Sequence, residues 1–343
     1  MTVLDDLLND VRSQIEPELA NLQEARARLA LVRDHASTFY GALRTYRSGS
    51  LAVHSMNNPV TDGDGGVVLN RNYYPGLGPE GTQEEEPGDV VADLCAHLGP
   101  LIRQTYPDAQ VHTSKRGPKI LFQSPAADGS DPTVDMVLAL TRKEGEGIWI
   151  PNLDKDDWDA SHPEEHVELF NDSAPAFRST RRKITRLAKA WNKQYSVQGA
   201  SSFEVSVWAW EFVETGMGMA KGLWTLFDKA ATRLEDGDPT PDPAGVSDDL
   251  RLLIKAETMA PRLRKAATNM RAALDSDDED EIRAAVSTVF WKYIDAPETA
   301  SLAASVSALK SATPVAATAL GIGVTATTAA ASVSRAYGGD ASR

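Results

Sequence analysis

The hydrophobic pattern changes character once along this chain of 343 residues. Between Gly66 and Leu140 the apolar residues come in short runs, several of them β-branched, and such runs predict strands. From about Ser161 onward they recur every three to four residues, which predicts helices almost throughout. A chain that carries its strands first and its helices afterwards is constrained to a lobe containing a sheet, followed by a helical lobe.

The strand-containing part also includes two predicted helices. Residues from about Val3 to Arg47 have apolar residues at helical spacing, with a break or kink at Pro17, and this helix should end near Ser48. The second helix is Asp89–Tyr106. The predicted strands are Gly66–Leu69, Gln110–His112, Lys119–Gln123 and Thr133–Leu140. The predicted helices of the second part are Ala174–Gln194, Ser202–Gly216, Met219–Glu235, Val246–Leu274 and Glu279–Ile294.

These elements predict the α/β (α+β) class, with a mixed sheet packed against helices and an active site in the cleft between the lobes. We expect a catalytic lobe with a long N-terminal helix over residues 1–165 and a helical lobe over residues 166–312. Residues 313–343 are rich in Ala, Ser, Thr and Val, and they predict a weak helix or a mobile tail.

The charge of the chain limits its partners. Its formal net charge is −14, and an acidic surface repels long nucleic acid, although local positive charge can still bind small anions such as nucleotides. The chain has one cysteine, Cys95, so it cannot form an internal disulfide. The N-terminus lacks a signal-peptide pattern, and no run of about 18 apolar residues is present. We predict a cytoplasmic protein with no membrane segment and no obligatory nucleic-acid partner.

Three aspartates stand in unusual surroundings. Asp62 and Asp64 are one residue apart on an extended segment, so they point the same way and can bridge divalent cations. A solvated turn is the plain alternative, and a calcium-binding loop is excluded because Tyr73 occupies the position that requires Glu. Asp135 interrupts an apolar strand, which is costly unless its charge is paired or metal-bound. Together the three predict a two-metal site.

Two further segments could bind phosphate. Gly49 and Ser50 form a Gly-Ser pair where backbone amides and a hydroxyl can reach phosphate oxygens, although such pairs are usually plain turns. Four cations share one sector of a predicted helix: Arg182, Arg186, Lys189 and Lys193. This stripe is either a wall for a triphosphate or a solvated basic face.

The segment from His162 to His166 matches the H-x-x-E-H zinc pattern. We prefer a helix start, with Ser161 as the cap, Glu164 as its capping-box partner and Pro163 in the first turn. This interpretation predicts no bound zinc. The chain also lacks a P-loop pattern, which argues against a Walker-type kinase or ATPase.

The order Gly49-Ser50, then Asp62-x-Asp64, then Asp135 on a later strand resembles the polymerase-beta-like nucleotidyltransferases. From about Arg44 to Val213, several segments look like the oligoadenylate synthetase and cyclic GMP-AMP synthase branch: Ile148–Asn152, Trp158, His162-Pro163, His166, Leu187–Asn192, Ser202–Glu204 and Ser206–Glu211. The acidic, cytosolic character fits the bacterial members, the CD-NTases of anti-phage signalling. One departure is the glycines that flank Asp64, where bulkier strand residues are expected.

This resemblance implies a function and a set of site residues. Asp62 and Asp64 would bind two Mg²⁺ or Mn²⁺ ions, with Asp135 completing the metal site and assisting the attacking hydroxyl. The triphosphate of ATP or another nucleoside triphosphate would be bound by Gly49, Ser50, Arg186, Lys189 and Ser202. The product would be a cyclic or short linear oligonucleotide, made with release of pyrophosphate, and proteins of the same defence system would be partners. The alternatives are an enzyme that modifies a macromolecule such as tRNA, and a catalytically silent nucleotide sensor.

Overall fold

The computed structural model describes residues 2–82, 84–126 and 128–296. Over these ranges the chain alternates between one mixed sheet and helices, so the predicted fold class is confirmed. The predicted tail over residues 313–343 lies outside the described residues. The strands are β1 (Ala42–Ser48), β2 (Asp62–Leu69), β3 (Gln110–Ser114), β4 (Gly117–Leu121), β5 (Thr133–Thr141), β6 (Ile148–Asn152) and β7 (Asp157–Ser161). The helices are α1 (Val3–Ile15), α2 (Leu19–Ala36), α3 (Gly49–Ala52), α4 (Pro87–Arg103), α5 (Pro163–Asn171), α6 (Pro175–Lys193), α7 (Ser202–Phe212), α8 (Met219–Glu235), α9 (Ala256–Asp275) and α10 (Glu279–Val289).

The sheet has the strand order β1-β2-β5-β4-β3, and β6 pairs with both β5 and β7. Only one of these strand pairs, β2 with β5, is parallel. Parallel neighbours need a long crossover connection, and here it contains α4 and the β3–β4 hairpin. The register places Asp64 directly beside Asp135. Residues far apart in the sequence are therefore adjacent in the sheet.

Alternation along β2 assigns its side chains to two environments. Val67 and Leu69 are buried in an apolar cluster that includes Leu29 of α2 and Leu94 of α4. Side chains two residues apart share a face of a strand, so Asp62 and Asp64 lie on the face turned away from α2 and α4. The same alternation puts the Asp135 side chain of β5 on that face.

A second apolar cluster fills the helical part of the chain, with residues of α6 to α10 and Trp191 and Trp208 among its largest buried side chains. Five residues of α1 belong to this cluster: Leu4, Leu7, Leu8, Val11 and Ile15. The first two helices therefore pack in different places, because α2 packs on the sheet. The predicted lobe boundary at residue 165 stays a prediction.

The prediction of one long N-terminal helix reaching Arg47 is wrong. The chain forms two helices separated around Pro17, as expected from proline geometry, and the second of them ends at Ala36. A turn through Gly41, whose φ is +72°, leads into β1, which among the described strands pairs with β2 alone. The sequence of this strand does not show a strand pattern, because it is polar and half-exposed, with Tyr46 as its one buried residue.

The glycines that flank Asp64 let neighbouring elements approach β2. A Cβ at Gly65 would lie 2.8 Å from the backbone oxygen of Tyr46, and one at Gly66 would lie 2.3 Å from the Tyr46 ring. On the face turned toward α2, a Cβ at Gly65 would also lie 3.1 Å from Leu29 Cδ1, and one at Gly63 would lie 3.3 Å from Leu29 Cβ. Bulkier residues would push β1 and α2 away from the strand that carries the aspartates.

Most predicted helices are confirmed within a few residues, and α8 begins and ends where expected. The exception is Val246–Leu274, because the helix starts only at Ala256. Residues 246–255 instead follow the loop after α8, where Leu250 bridges to Thr240. Within the described ranges, no helix is long and apolar enough to cross a membrane.

Candidate active site

Three carboxylates meet on the open face of the sheet. One oxygen atom from each of Asp62, Asp64 and Asp135 lies within 4.8 Å of the other two. In the described part of the chain, this is the only such group of three His, Cys, Asp or Glu residues. Carboxylate oxygens are the ligands that hard divalent cations such as Mg²⁺ and Mn²⁺ prefer. The triad therefore has the chemistry of a divalent metal site.

The position of Asp64 beside the other two carboxylates affects its pKa. Burial raises the pKa of Asp64 to about 7, and the charges of Asp62 and Asp135 act in the same direction. Lys119 and Lys189 oppose the rise, and Lys119 Nζ lies 3.4 Å from Asp135 Oδ2. The two lysines only partly compensate the repulsion, so the site favours added positive charge.

Gly49 packs directly against the Asp64 carboxylate of the triad. It follows β1 with a φ of +66°, and a Cβ there would lie 1.9 Å from Asp64 Oδ2. Any side chain at this position would displace the carboxylate. The predicted Gly49-Ser50 pair thus lies at the start of α3, directly beside Asp64.

A cavity of about 500 Å³ opens beside the triad. Its polar lining includes Ser48, Gly49, Ser50, Asp62, Asp64, Lys189, Lys193 and Ser202. Another part of the lining, which we call the apolar wall, consists of Val53, Val167, Phe170 and Phe203. The combination of a charged region and an apolar wall suits a ligand that is itself part anionic and part aromatic.

Lys189 is held at the cavity in a defined position. Its side chain is buried, and its Nζ donates to Ser55 Oγ at 2.9 Å. Burial lowers the pKa of Lys189 to about 7, reinforced by Lys193 and Arg186 and opposed by Asp64. A buried ammonium does not belong to a solvated face, so that alternative fails for this residue.

Lys193 also lines the cavity, whereas the two arginines of the basic stripe point elsewhere. Arg182 Nη2 donates to Asn171 Oδ1 at 2.7 Å, at the C-terminal end of α5. Arg186 lies 3.5 Å from Glu16 and does not line the cavity. Of the predicted phosphate-binding residues, the structure brings Gly49, Ser50, Lys189 and Ser202 to one cavity. It does not bring Arg186 there.

The capping-box interpretation of Ser161 and Glu164 is wrong. Ser161 pairs with Ile148 as the last residue of β7, and His162 precedes α5 without a side-chain cap. Glu164 instead forms an ion pair with Arg44 of β1 at 2.7 Å. His166 faces the cavity and is bonded to Asp242. The absence of zinc stays a prediction.

Comparison with known proteins gives a likeness in structure alone. No family model and no curated protein matches the sequence. The CD-NTase CdnG of Bradyrhizobium diazoefficiens, solved with GTP, matches with a TM-score of 0.63 and 16% identity, over 84% of this chain and 95% of that one. E. coli CdnC, solved in complex with HORMA-deltaN, matches with a TM-score of 0.60 and 14% identity, over 84% of this chain and 96% of that one.

Vibrio cholerae DncV, a cyclic AMP-GMP synthase, matches with a TM-score of 0.51 and 13% identity, over 85% of this chain and 88% of that one. This chain has the CD-NTase fold. The resemblance found in the sequence is thus confirmed at the level of the fold.

Three residues that shape this site could not be predicted from the sequence. Tyr46 packs over Gly66, Ser55 holds Lys189, and Asp242 holds His166. Each acts through a partner distant in the sequence, so no local pattern marks it. Asp242 lies in a loop rich in Pro and Asp, where one more acidic residue does not indicate a functional role.

We expect Gly49→Ala to weaken metal binding strongly, because the new Cβ must displace Asp64 or move α3. The positive φ adds a backbone cost of roughly 1–2 kcal/mol. Gly216→Ala is the matched control, since Gly216 has a φ of +89° with nothing within 4 Å of its Cβ. Calorimetric Mn²⁺ titration and thermal unfolding of both variants separate the two effects. Equal metal affinity in the two variants would contradict this account.

In the metal-free protein, the contribution of Asp64 to stability should fall as the pH rises from about 4 to about 7. The folded-state pKa of Asp64 is about 7, above its unfolded value of about 3.9. The stability from this group is therefore full below the unfolded pKa and is lost as the pH rises through the folded one. Asp64→Asn should reduce this loss, whereas exposed Asp154→Asn should not. Urea unfolding in EDTA measures the difference, and identical pH profiles for the three proteins would refute it.

Proposed function

We propose that this protein is a metal-dependent nucleotidyltransferase that joins nucleoside triphosphates into a cyclic or short linear oligonucleotide. The observation that carries the proposal is the carboxylate triad of Asp62, Asp64 and Asp135 beside a cavity containing buried Lys189. The cavity of about 500 Å³ lies within the usual range for small-molecule sites. The CD-NTase fold supports it, since CdnG was solved with GTP and DncV is a cyclic AMP-GMP synthase.

The side chains can divide the reaction between them. Asp62 and Asp64 would hold two Mg²⁺ or Mn²⁺ ions, which neutralise charge on the attacking and leaving oxygens when bound. Lys189 and Ser202 would donate hydrogen bonds to triphosphate oxygens, and Gly49 leaves Asp64 free to reach its ligand.

The chemical step forms a bond between a ribose hydroxyl oxygen and the α-phosphorus and breaks the bond to the β-phosphate. Pyrophosphate leaves, and the hydroxyl proton goes to Asp135 or to water. Asp135 suits this role because it stands beside Asp64 in the sheet, at the edge of the triad. Catalysis is then mainly positioning and charge neutralisation.

A long RNA substrate is disfavoured by the charges around the site. The basic segment beside Asp135 is already paired: Lys115 with Asp154, Arg116 with Asp159 and Lys119 with Asp135. Paired cations on a chain of net charge −14 offer little to a phosphate backbone. A silent sensor would have no need of three clustered carboxylates, whose mutual repulsion is costly.

We also propose a role in bacterial anti-phage signalling, in the cytoplasm and together with partner proteins. The support is the CD-NTase fold and the solved complex of CdnC with HORMA-deltaN. In this role the oligonucleotide product would be the signal.

The purified protein, given all four ribonucleoside triphosphates with Mg²⁺ or Mn²⁺, should release pyrophosphate. Its product should resist phosphatase if it is cyclic. Asp62→Asn/Asp64→Asn should abolish both because the metal ligands are lost, whereas Asp154→Asn, an exposed acid outside the cavity, should be unaffected. Chromatography and mass spectrometry identify the product. Wild-type pyrophosphate release from the double variant would refute the site.

Lys189→Met should weaken triphosphate binding while preserving side-chain volume. A charge-assisted hydrogen bond contributes roughly 1.5–3 kcal/mol, so the affinity should fall roughly 10- to 150-fold. Lys183→Met is the control, because Lys183 lies on the same helix and does not line the cavity. Calorimetric titration of α,β-methylene ATP with Mg²⁺ makes the comparison. Unchanged affinity would remove Lys189 from the phosphate-binding residues.

A further inference from the structure

A buried ionisable pair, His166 and Asp242, lies next to the apolar wall. Neither residue has a role in the proposed reaction. His166 Nε2 lies 2.6 Å from Asp242 Oδ1, and the two side chains are 11% and 1% exposed. His166 lines the cavity, whereas Asp242 stands behind it and does not. A buried polar pair at a ligand cavity is a candidate for recognition as well as for structure.

Asp242 is anchored in its charged form. Its Oδ2 accepts hydrogen bonds from the backbone amides of Val246 at 3.0 Å and Ser247 at 2.9 Å. Burial alone would raise the pKa of Asp242, but these two amides and His166 outweigh it and keep the pKa below its usual range. A carboxylate can only accept, so His166 Nε2 must carry the hydrogen of their shared bond.

The other ring nitrogen is then left with a lone pair. Burial lowers the pKa of His166 despite the opposing charge of Asp242, so the ring is neutral near pH 7. A neutral imidazole with hydrogen on Nε2 has an acceptor at Nδ1. Among the described residues, Nδ1 has no hydrogen-bond partner, while Nε2 is fully committed to Asp242.

The surroundings of His166 suit a planar aromatic group. The ring centroids of His166 and Phe203 are 4.8 Å apart, and those of Phe170 and Phe203 are 5.9 Å apart. The apolar wall offers aromatic surface and contains no charged side chain, so a nucleobase fits here better than a phosphate. Ser206 and Ser247 add two hydroxyl groups near this part of the lining.

Resting on the proposed function, we propose that His166 is a specificity-determining residue that accepts a hydrogen bond at Nδ1 from an exocyclic amino group of the nucleobase. Asp242 is the positioning residue, because it fixes which nitrogen carries the hydrogen. A site that hydrogen-bonds one group rejects an analogue lacking that group, since its own polar atom is left unpaired.

One substitution, Asp242→Asn, should reverse the direction of the hydrogen bond between His166 Nε2 and residue 242. In Asp242→Asn the amide oxygen must still accept from Val246 and Ser247, so its NH₂ group faces His166 Nε2. Nε2 then becomes an acceptor and Nδ1 carries the hydrogen. The ring is unchanged but its free nitrogen turns from acceptor to donor. The imidazole ¹⁵N shifts of His166 should report the exchange of tautomer even without nucleotide.

The test titrates α,β-methylene triphosphates of adenosine, guanosine and inosine into wild type, Asp242→Asn and His166→Phe. Inosine lacks both amino groups, so wild type should bind it roughly 3- to 10-fold more weakly than the better of the other two, as expected for one neutral hydrogen bond. The preference for the nucleotide with the amino group over inosine should shrink or reverse in Asp242→Asn and vanish in His166→Phe. Asp248→Asn, an exposed neighbour in the same loop, should retain it.

The outcomes separate the two proposals. Wild type that binds none of the three analogues would overturn the proposed function itself. Binding of all three within about twofold, or an unchanged preference in folded Asp242→Asn and His166→Phe, would overturn only the role of His166. Thermal unfolding confirms that each variant is folded before its titration is interpreted.

Discussion

Repulsion among three carboxylates is the constraint around which this structure is arranged. Asp64 stands between Asp62 and Asp135, and their charges together with burial raise its pKa to about 7. Cations approach it from two directions: Lys119 from the neighbouring strand β4, and Lys189 from the helix α6. The sheet and the helices are therefore coupled through electrostatics at the cavity as well as through packing.

The backbone around the triad is arranged so that the three carboxylates can lie close together. A parallel strand pair puts Asp64 and Asp135 side by side, and this needs a long crossover that carries α4 across the buried face of the sheet. Close approach of β1 then depends on glycine at several positions, and Gly49 lies nearest to a carboxylate oxygen of the triad. Small residues at these positions are part of the site, although they contribute no functional group.

Local chemistry decided what could be predicted from the sequence. The triad stood out because Asp135 interrupts an apolar strand, and α8 was found because its periodicity is strong. β1 was missed because a half-exposed strand shows no such pattern, and Arg186 was placed with the phosphate ligands because helical spacing cannot show that Glu16 lies beside it. The hydrogen bond between His166 and Asp242 joins α5 to the loop after α8, so only the folded chain reveals it.

The separate packing of the first two helices has a consequence for how the chain can be divided. The apolar face of α1 is buried among the helices that follow residue 175, while α2 is buried against the sheet. A cut after residue 165 would leave five apolar side chains of α1 without their neighbours, in a fragment prone to aggregate. The N-terminal segment thus connects the beginning of the chain to its later half, and residues 2–296 belong to one compact unit.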